Sequence, residues 1–424
     1  MTYKFHQIVF FIRHIKGMTT HIHVERFSHT KRTLNISVVT ETFPPDINGV
    51  AHTLSKMVNG LQANGHDIWL VRPRHQKAEQ AQSRQGFNEL LVKGMPIPFY
   101  KQLRMGLPAK RELHRLWSLK RPDVVHIATE GPLGWSALQV AKKMRIPIST
   151  DFRTNFHAYS SHYGIGWLSG AILSYMRKFH NAADATMVPT LQLAQTLQSA
   201  GFERLHVVPR GIDTQLFSPT KRSLALREKW QAQPNDLVML YVGRLAAEKN
   251  LQQVLRTFAM AKERMPTTKL VLVGDGPLRA ELEATHKDVI YAGFQTGENL
   301  AAHYASADMF VFASQTETFG NVTLEAMASG LAVVAFNHAA AGELIQSGIN
   351  GMLASHDSGV HFEMAAQALM NNPELMQYVR QQAAATAADM GWDKIVQKTE
   401  SVFHDVLNQR ERLFAVSTPL VTTA

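Results

Sequence analysis

Apolar and β-branched residues gather in short runs that recur at helix-length intervals, the pattern of buried strands alternating with helices. In the first half these runs are residues 36–39, 68–71, 124–127 and 185–188. Past residue 210 the rhythm starts again, with runs at 238–242, 270–273, 289–291, 309–312 and 332–335. Alternating strands and helices call for parallel sheets with crossover helices, so the predicted fold class is α/β with two doubly wound units. The junction falls in 207–213, where a strand runs into Pro209 and Gly211. This divides the chain into an N-terminal extension (1–34), a first unit (35–210), a second unit (211–395) and a C-terminal helix with a frayed tail (396–424). Residues 76–88 are polar without a period and read as an excursion, and Met18 is an alternative start.

Length supports the division, since 424 residues exceed what one growing core holds, and 45% hydrophobic content supplies two cores. Cysteine is absent, which excludes disulfides, thiolate metal sites and a cysteine nucleophile. No apolar run approaches the ~18 residues of a membrane span, and residues 8–12 are too short for a signal-peptide core, so a soluble or peripheral protein is expected. The net charge of +10 is concentrated. Residues 1–34 hold six Lys or Arg against Glu25, and residues 101–121 hold seven against Glu112, while the rest of the chain is close to neutral. Localised charge of this kind suits anionic lipid, nucleic acid or an acidic substrate.

The most informative stretch follows the apolar run 309–313. Glu317 and Glu325 stand eight residues apart with Phe319, Gly320 and Asn321 between them, at a predicted strand-turn-helix with the helix opening at Val322. Free amides at such a turn hold phosphate, and flanking carboxylates accept bonds from hydroxyls, which suits a nucleotide-sugar. Gly243, Arg244 and Lys249 sit on another predicted strand-to-helix turn, where two cations beside exposed amides make either a pyrophosphate site or an ordinary charged loop. Gly274 and Gly276 form a weaker glycine turn without the third glycine of the dinucleotide fingerprint, and no P-loop occurs. Gly49, at a helix start after Pro44-Pro45, lets backbone approach a ligand or simply makes a turn. His126 ends a strand and His157 follows Asn155-Phe156, but no histidine spacing argues for a metal. Around Leu113, Leu116 and Trp117 at helical spacing lie Lys110, Arg111, Arg115, Lys120 and Arg121. That helix either lies on an anionic membrane surface or is a crossover helix burying Leu and Trp against its own sheet, and the clustered charge favours the surface.

Taken in order, these residues resemble the retaining glycosyltransferases of family 4, with the two-domain GT-B architecture of two Rossmann-like domains facing across a cleft. The likeness runs from about Ile36 to Trp392. Its implications are an N-terminal acceptor domain and a C-terminal donor domain that binds a nucleotide diphosphate sugar. Arg244 and Lys249 match the diphosphate-binding pair, Gly49 the N-terminal glycine loop, and His157 the histidine beside the donor sugar. Glu317 would hold sugar hydroxyls and Glu325 the ribose, with Gly243, Phe319, Gly320 and Asn321 on the donor. Arg210-Gly211-Ile212-Asp213 resembles the branch that glycosylates diacylglycerol-type lipids. The resemblance therefore implies hexosyl transfer with retention, without metal or cofactor, to a membrane lipid. It also implies a cytoplasmic enzyme, peripheral at the inner face of the cytoplasmic membrane, with Lys110, Arg111, Arg115, Lys120 and Arg121 as possible membrane contacts and no nucleic acid partner. The donor's base and sugar stay open. Competing expectations are a soluble or polysaccharide-directed transferase, a nucleotide-sugar epimerase, or a non-catalytic nucleotide-sugar sensor.

Overall fold

A computed structural model describes residues 3–5, 8–10, 32–46, 48–76, 78–97, 100–153, 169–317, 319–355 and 358–417. Its first sheet grows from β1 (Asn35–Val39), where Ile36, Val38 and Val39 are fully buried. The chain continues through α1 (Gly49–Ala63), β2 (Asp67–Pro73), β3 (Phe87–Val92), and a hairpin of β4 (Gly94–Ile97) and β5 (Tyr100–Gly106). It then alternates through α2 (Lys110–Leu119), β6 (Val124–Ile127), α3 (Pro132–Lys143), β7 (Ile148–Asp151), α4 (Ser169–His180), β8 (Ala185–Val188), α5 (Leu191–Ser199) and β9 (Leu205–Val207). The order is β9-β8-β7-β6-β1-β2-β3, all parallel, with Ser83–Arg84 antiparallel at the β3 edge.

The second sheet is built from β10 (Val238–Val242), α6 (Leu251–Arg264), β11 (Lys269–Val273), β12 (Ile290–Gly293), α7 (Gly297–Ser306), β13 (Met309–Phe312), α8 (Asn321–Ala328), β14 (Ala332–Phe336), α9 (Ala339–Leu344) and β15 (Met352–Ala354). Its order is β12-β11-β10-β13-β14-β15, again all parallel. β10, β13 and β14 are buried along their full length, as expected of strands covered by helices on both faces. In each sheet the order reverses beside the first strand, between β1 and β6 and between β10 and β13. Crevices beyond the strand C-termini at those two points are where such folds bind ligands.

The polar reading of 76–88 and the following segment missed β3. Glu89 is buried in the middle of this strand and would be too costly there alone, but the Arg72 Nε donates to its Oε1 at 3.0 Å, and the same guanidinium reaches Glu79 at 2.8 Å. The C-terminal helix also departs from the expected tail. After α10 (Pro373–Ala388), α11 (Trp392–Ser417) runs as one helix well into the stretch expected to fray. It lies on the first sheet's side of the molecule, where Val396, Val402, Phe403, Val406 and Leu407 join Leu54, Met57 and Leu61 of α1 in one core. His66 links the two parts. Its Nδ1 accepts from the Leu34 amide at 3.0 Å, which leaves Nε2 to donate to Glu400 Oε1 at 3.0 Å.

Candidate active site

Register brings the loops that leave the first sheet to one level. Val39 of β1 pairs with Ile127 of β6, and just beyond them the Glu41 amide donates to Thr129 Oγ1 at 2.9 Å. Asn48 then caps α1, its Oδ1 accepting from Val50 and Ala51 at 3.1 and 2.9 Å. A Cβ added at Gly49 would lie 4.0 Å from Asn321 Nδ2, so the glycine turn of the first sheet faces the turn before α8 of the second.

On the opposite wall, β10 is followed by Gly243, whose φ of 155° and closeness to Tyr241 Oη, 2.7 Å from a hypothetical Cβ, exclude a side chain. Tyr241 Oη donates to the Arg244 carbonyl at 3.0 Å and fixes the turn. Arg244 itself is 58% exposed, and its one ion pair among the described residues is with Glu248 at 3.7 Å. Lys249 ends a short 3-10 turn and donates to Glu317 Oε1 at 2.5 Å, and Ser314 Oγ donates to the same oxygen at 2.9 Å. Gly320, at φ 86°, opens α8. Between the walls lies a cavity of about 520 Å³, within the range of ligand pockets, lined by Glu41, Thr129, Arg153, Arg210, Glu317 and Asn321 among others.

The two glutamates that the sequence pairs are separated by the fold. Glu317 lines the cavity, whereas Glu325 lies on α8 outside that lining and accepts from Tyr304 Oη at 2.8 Å. Burial pushes the Glu325 carboxyl up to about 7, partly offset by that tyrosine. Gly49, Phe319, Gly320 and Asn321 also line the cavity, while Gly243, Arg244 and Lys249 are not among its lining residues, Lys249 meeting it through Glu317. His157 lies outside the described residues.

Several lining residues went unassigned from sequence, among them Arg104 of β5 and three charged residues that follow strands. Glu41, two residues past β1, accepts from the Leu133 amide of α3 at 2.9 Å, and burial pushes it up to about 7. Arg153 follows β7 and pairs with Asp151. Arg210 follows β9, and its Nη1 donates to Thr53 Oγ1 at 2.9 Å. Burial, and then the neighbouring Arg153, pull Arg210 down to about 9. Their shared signal is a charged residue within three positions of a strand's C-terminus. Residues Lys110, Arg111, Arg115, Lys120 and Arg121 are all exposed. The apolar face of α2 is not, because Leu113 and Trp117 are buried against the sheet and Trp117 Nε1 donates to Ser37 Oγ at 3.0 Å. The crossover reading is therefore correct for that face, and outside it α2 exposes these cations together with Leu119.

Among the described residues no cluster of three His, Asp or Glu is arranged to hold a metal, and no helix is long and apolar enough to cross a membrane. Paired doubly wound sheets meeting at a cation-lined cleft define the GT-B class of glycosyltransferases. Sucrose-phosphate synthase from Thermosynechococcus elongatus shares this fold, at a TM-score of 0.70 and 16% identity over 91% of this chain and 100% of that one. The family model for Glycosyltransferase Family 4 matches residues 47–216, and that for Glycosyl transferases group 1 matches residues 223–386. A GDP-mannose-dependent alpha-mannosyltransferase of Mycobacterium tuberculosis is 33% identical over 322 residues, 76% of this chain and 83% of its own. The alpha-monoglucosyldiacylglycerol synthase of Acholeplasma laidlawii is 25% identical over 400 residues, 89% of this chain and 99% of its own. The chain belongs to the family 4 glycosyltransferases.

Proposed function

We propose that the protein transfers a hexosyl group, with retention and without a metal ion, from a nucleotide diphosphate sugar to a diacylglycerol-type membrane lipid. The observation that carries the reading is the Lys249–Glu317 contact at the wall of the inter-sheet cavity. Breaking the C1–O bond leaves positive charge on the sugar and negative charge on the diphosphate. Lys249 and Arg244 would stabilise the diphosphate, aided by amides at the Gly49 and Phe319–Asn321 turns, and that is work a divalent ion does elsewhere. Glu317 holds Lys249 through Oε1, which leaves Oε2 for the sugar hydroxyls. Glu325 grips the ribose, and His157 orients the donor sugar.

The relatives' names support the choice of substrates, one depending on GDP-mannose and one making a glucosyldiacylglycerol. Exposed cations of α2 would bring the protein to anionic lipid, each adding ~1 kcal/mol near the surface. The test is transfer from radiolabelled GDP-mannose or UDP-glucose to dioleoylglycerol in phosphatidylglycerol vesicles, with and without EDTA. Lipid-linked sugar that survives EDTA is expected, and Lys249→Ala should lower turnover by roughly 10²–10³-fold while the melting curve is kept. Label found only on soluble sugars, or an undiminished Lys249→Ala rate, overturns the reading.

A further inference from the structure

The cleft holds more positive charge than the leaving diphosphate needs. The second sheet contributes Arg244 and Lys249, and Lys249 is already matched by Glu317. From the first sheet's side, Arg104 of β5, Arg153 and Arg210 line the cavity itself. Among the described residues, the sole ion pair these three make is that of Arg153 with Asp151.

Each of the three is short of a partner. The Arg153 side chain is 8% exposed, yet its Nε has no hydrogen-bond partner among the described residues. Arg210 is as deeply set and, among the described residues, its side chain is held only by neutral oxygens, Thr53 Oγ1 and the Gly49 carbonyl. The half-buried Arg104 side chain makes no ion pair or hydrogen bond with any described residue. Two neighbouring buried guanidiniums, of which Arg153 alone is ion-paired, with a third cation lining the same cavity, form an arrangement that is costly empty and favourable around an anion. Burial and mutual repulsion already pull Arg210 down to about 9, and an anion would reverse that pull.

We propose that Arg104, Arg153 and Arg210 form an anion subsite for a phosphate or carboxylate carried by the acceptor, so that the preferred acceptor is an anionic lipid and not neutral diacylglycerol. This rests on the lipid-transferase reading above. The donor's own phosphates are assigned to Arg244 and Lys249 of the second sheet with the turn amides, which leaves the three arginine side chains to the second substrate.

Short-chain, water-soluble lipids test the subsite without a charged membrane surface. Dihexanoyl phosphatidylinositol is compared with dihexanoylglycerol for a phosphate, and glucuronosyl with glucosyl dihexanoylglycerol for a carboxylate. The wild-type protein is expected to favour the anionic member of at least one pair by about tenfold or more in kcat/KM, the scale of one charge-assisted hydrogen bond. Arg104→Gln, on a partly exposed hairpin, should erase that preference by raising the acceptor KM and leave the donor KM unchanged. Equal use of neutral and anionic acceptors overturns the subsite while leaving the transferase reading intact. A rise in donor KM in Arg104→Gln also overturns it, by assigning the arginines to the donor. Transfer to none of the lipids removes both readings.

Discussion

Glu41 carries the consequence of ending a strand inside a cleft. Its carboxyl is pushed up from 4.5 to about 7, first by burial, with the Leu133 amide pulling the other way and Glu130 adding to the rise. Between pH 4.5 and 7 the folded chain therefore keeps a proton that the unfolded chain has lost. The folded state then binds more protons than the unfolded one, so stability falls as pH climbs through that window. Glutamine accepts the Leu133 amide equally well and never ionises. Glu41→Gln should therefore lose less stability between pH 5 and 8 than the wild type, by about 1–2 kcal/mol after allowing for the group's partial exposure, as read by urea midpoints at both pH values. A decline as steep as that of the wild type would mean that Glu41 ionises like a surface carboxylate. The same residue shows where sequence reading stops. Glu317 announced itself through spacing, because the Phe319–Asn321 turn beside it has a recognisable composition. Glu41 and Arg153 look like any charged loop residue until the parallel register sets β1 beside β6 and β6 beside β7.

Among the elements, those whose outward signal matched their inward one were legible. The runs at 238–242 and 309–312 are apolar throughout and are strands buried on both faces. β3 and β7 were not legible, since the first buries Glu89 against a distant arginine and the second is Ile-Ser-Thr-Asp, whose hydroxyls are satisfied from neighbouring elements, Thr150 Oγ1 lying 2.9 Å from both His180 Nδ1 and Thr186 Oγ1. In α2 the crossover reading holds for one face, and the other face leaves its cations exposed. Its apolar side, Leu113 and Trp117, belongs to the core, so Trp117→Ala should cost about 3–5 kcal/mol of stability. Arg111 and Arg115 are exposed and make no ion pair among the described residues. Reversing both to Glu should leave thermal stability within about 0.5 kcal/mol. Binding to phosphatidylglycerol vesicles, followed by co-sedimentation, should fall by about tenfold or more, because the contribution of each cation is not only lost but inverted. Unchanged sedimentation would remove α2 from the membrane surface.

At the scale of the whole molecule, chain order and spatial order part at residue 391. The strand rhythm correctly separates two sheets, but the last helix returns to the first of them. Ile212 and Gly391 bridge side by side, and the Ile212 amide donates to the Met390 carbonyl at 2.9 Å, so the chain crosses between the sheets twice at one place. From that crossing α11 covers α1, and Phe403, fully buried, meets the His126 ring edge-on with centroids 5.6 Å apart. His126 stands on β6, which leads to Thr129 at the cleft, and burial has pulled it down to about 4. A helix so placed is part of the first core, not a cap upon the second. Removing the Phe403 ring would leave a cavity among Leu54, Val58 and Val406 that rigid strands cannot close. Phe403→Ala should therefore destabilise the protein by about 3–5 kcal/mol, whereas Phe403→Leu, which keeps most of the volume, should cost below about 1.5 kcal/mol. Urea unfolding of both variants reads the difference. If α11 were a dispensable tail, the alanine and leucine variants would unfold together with the wild type.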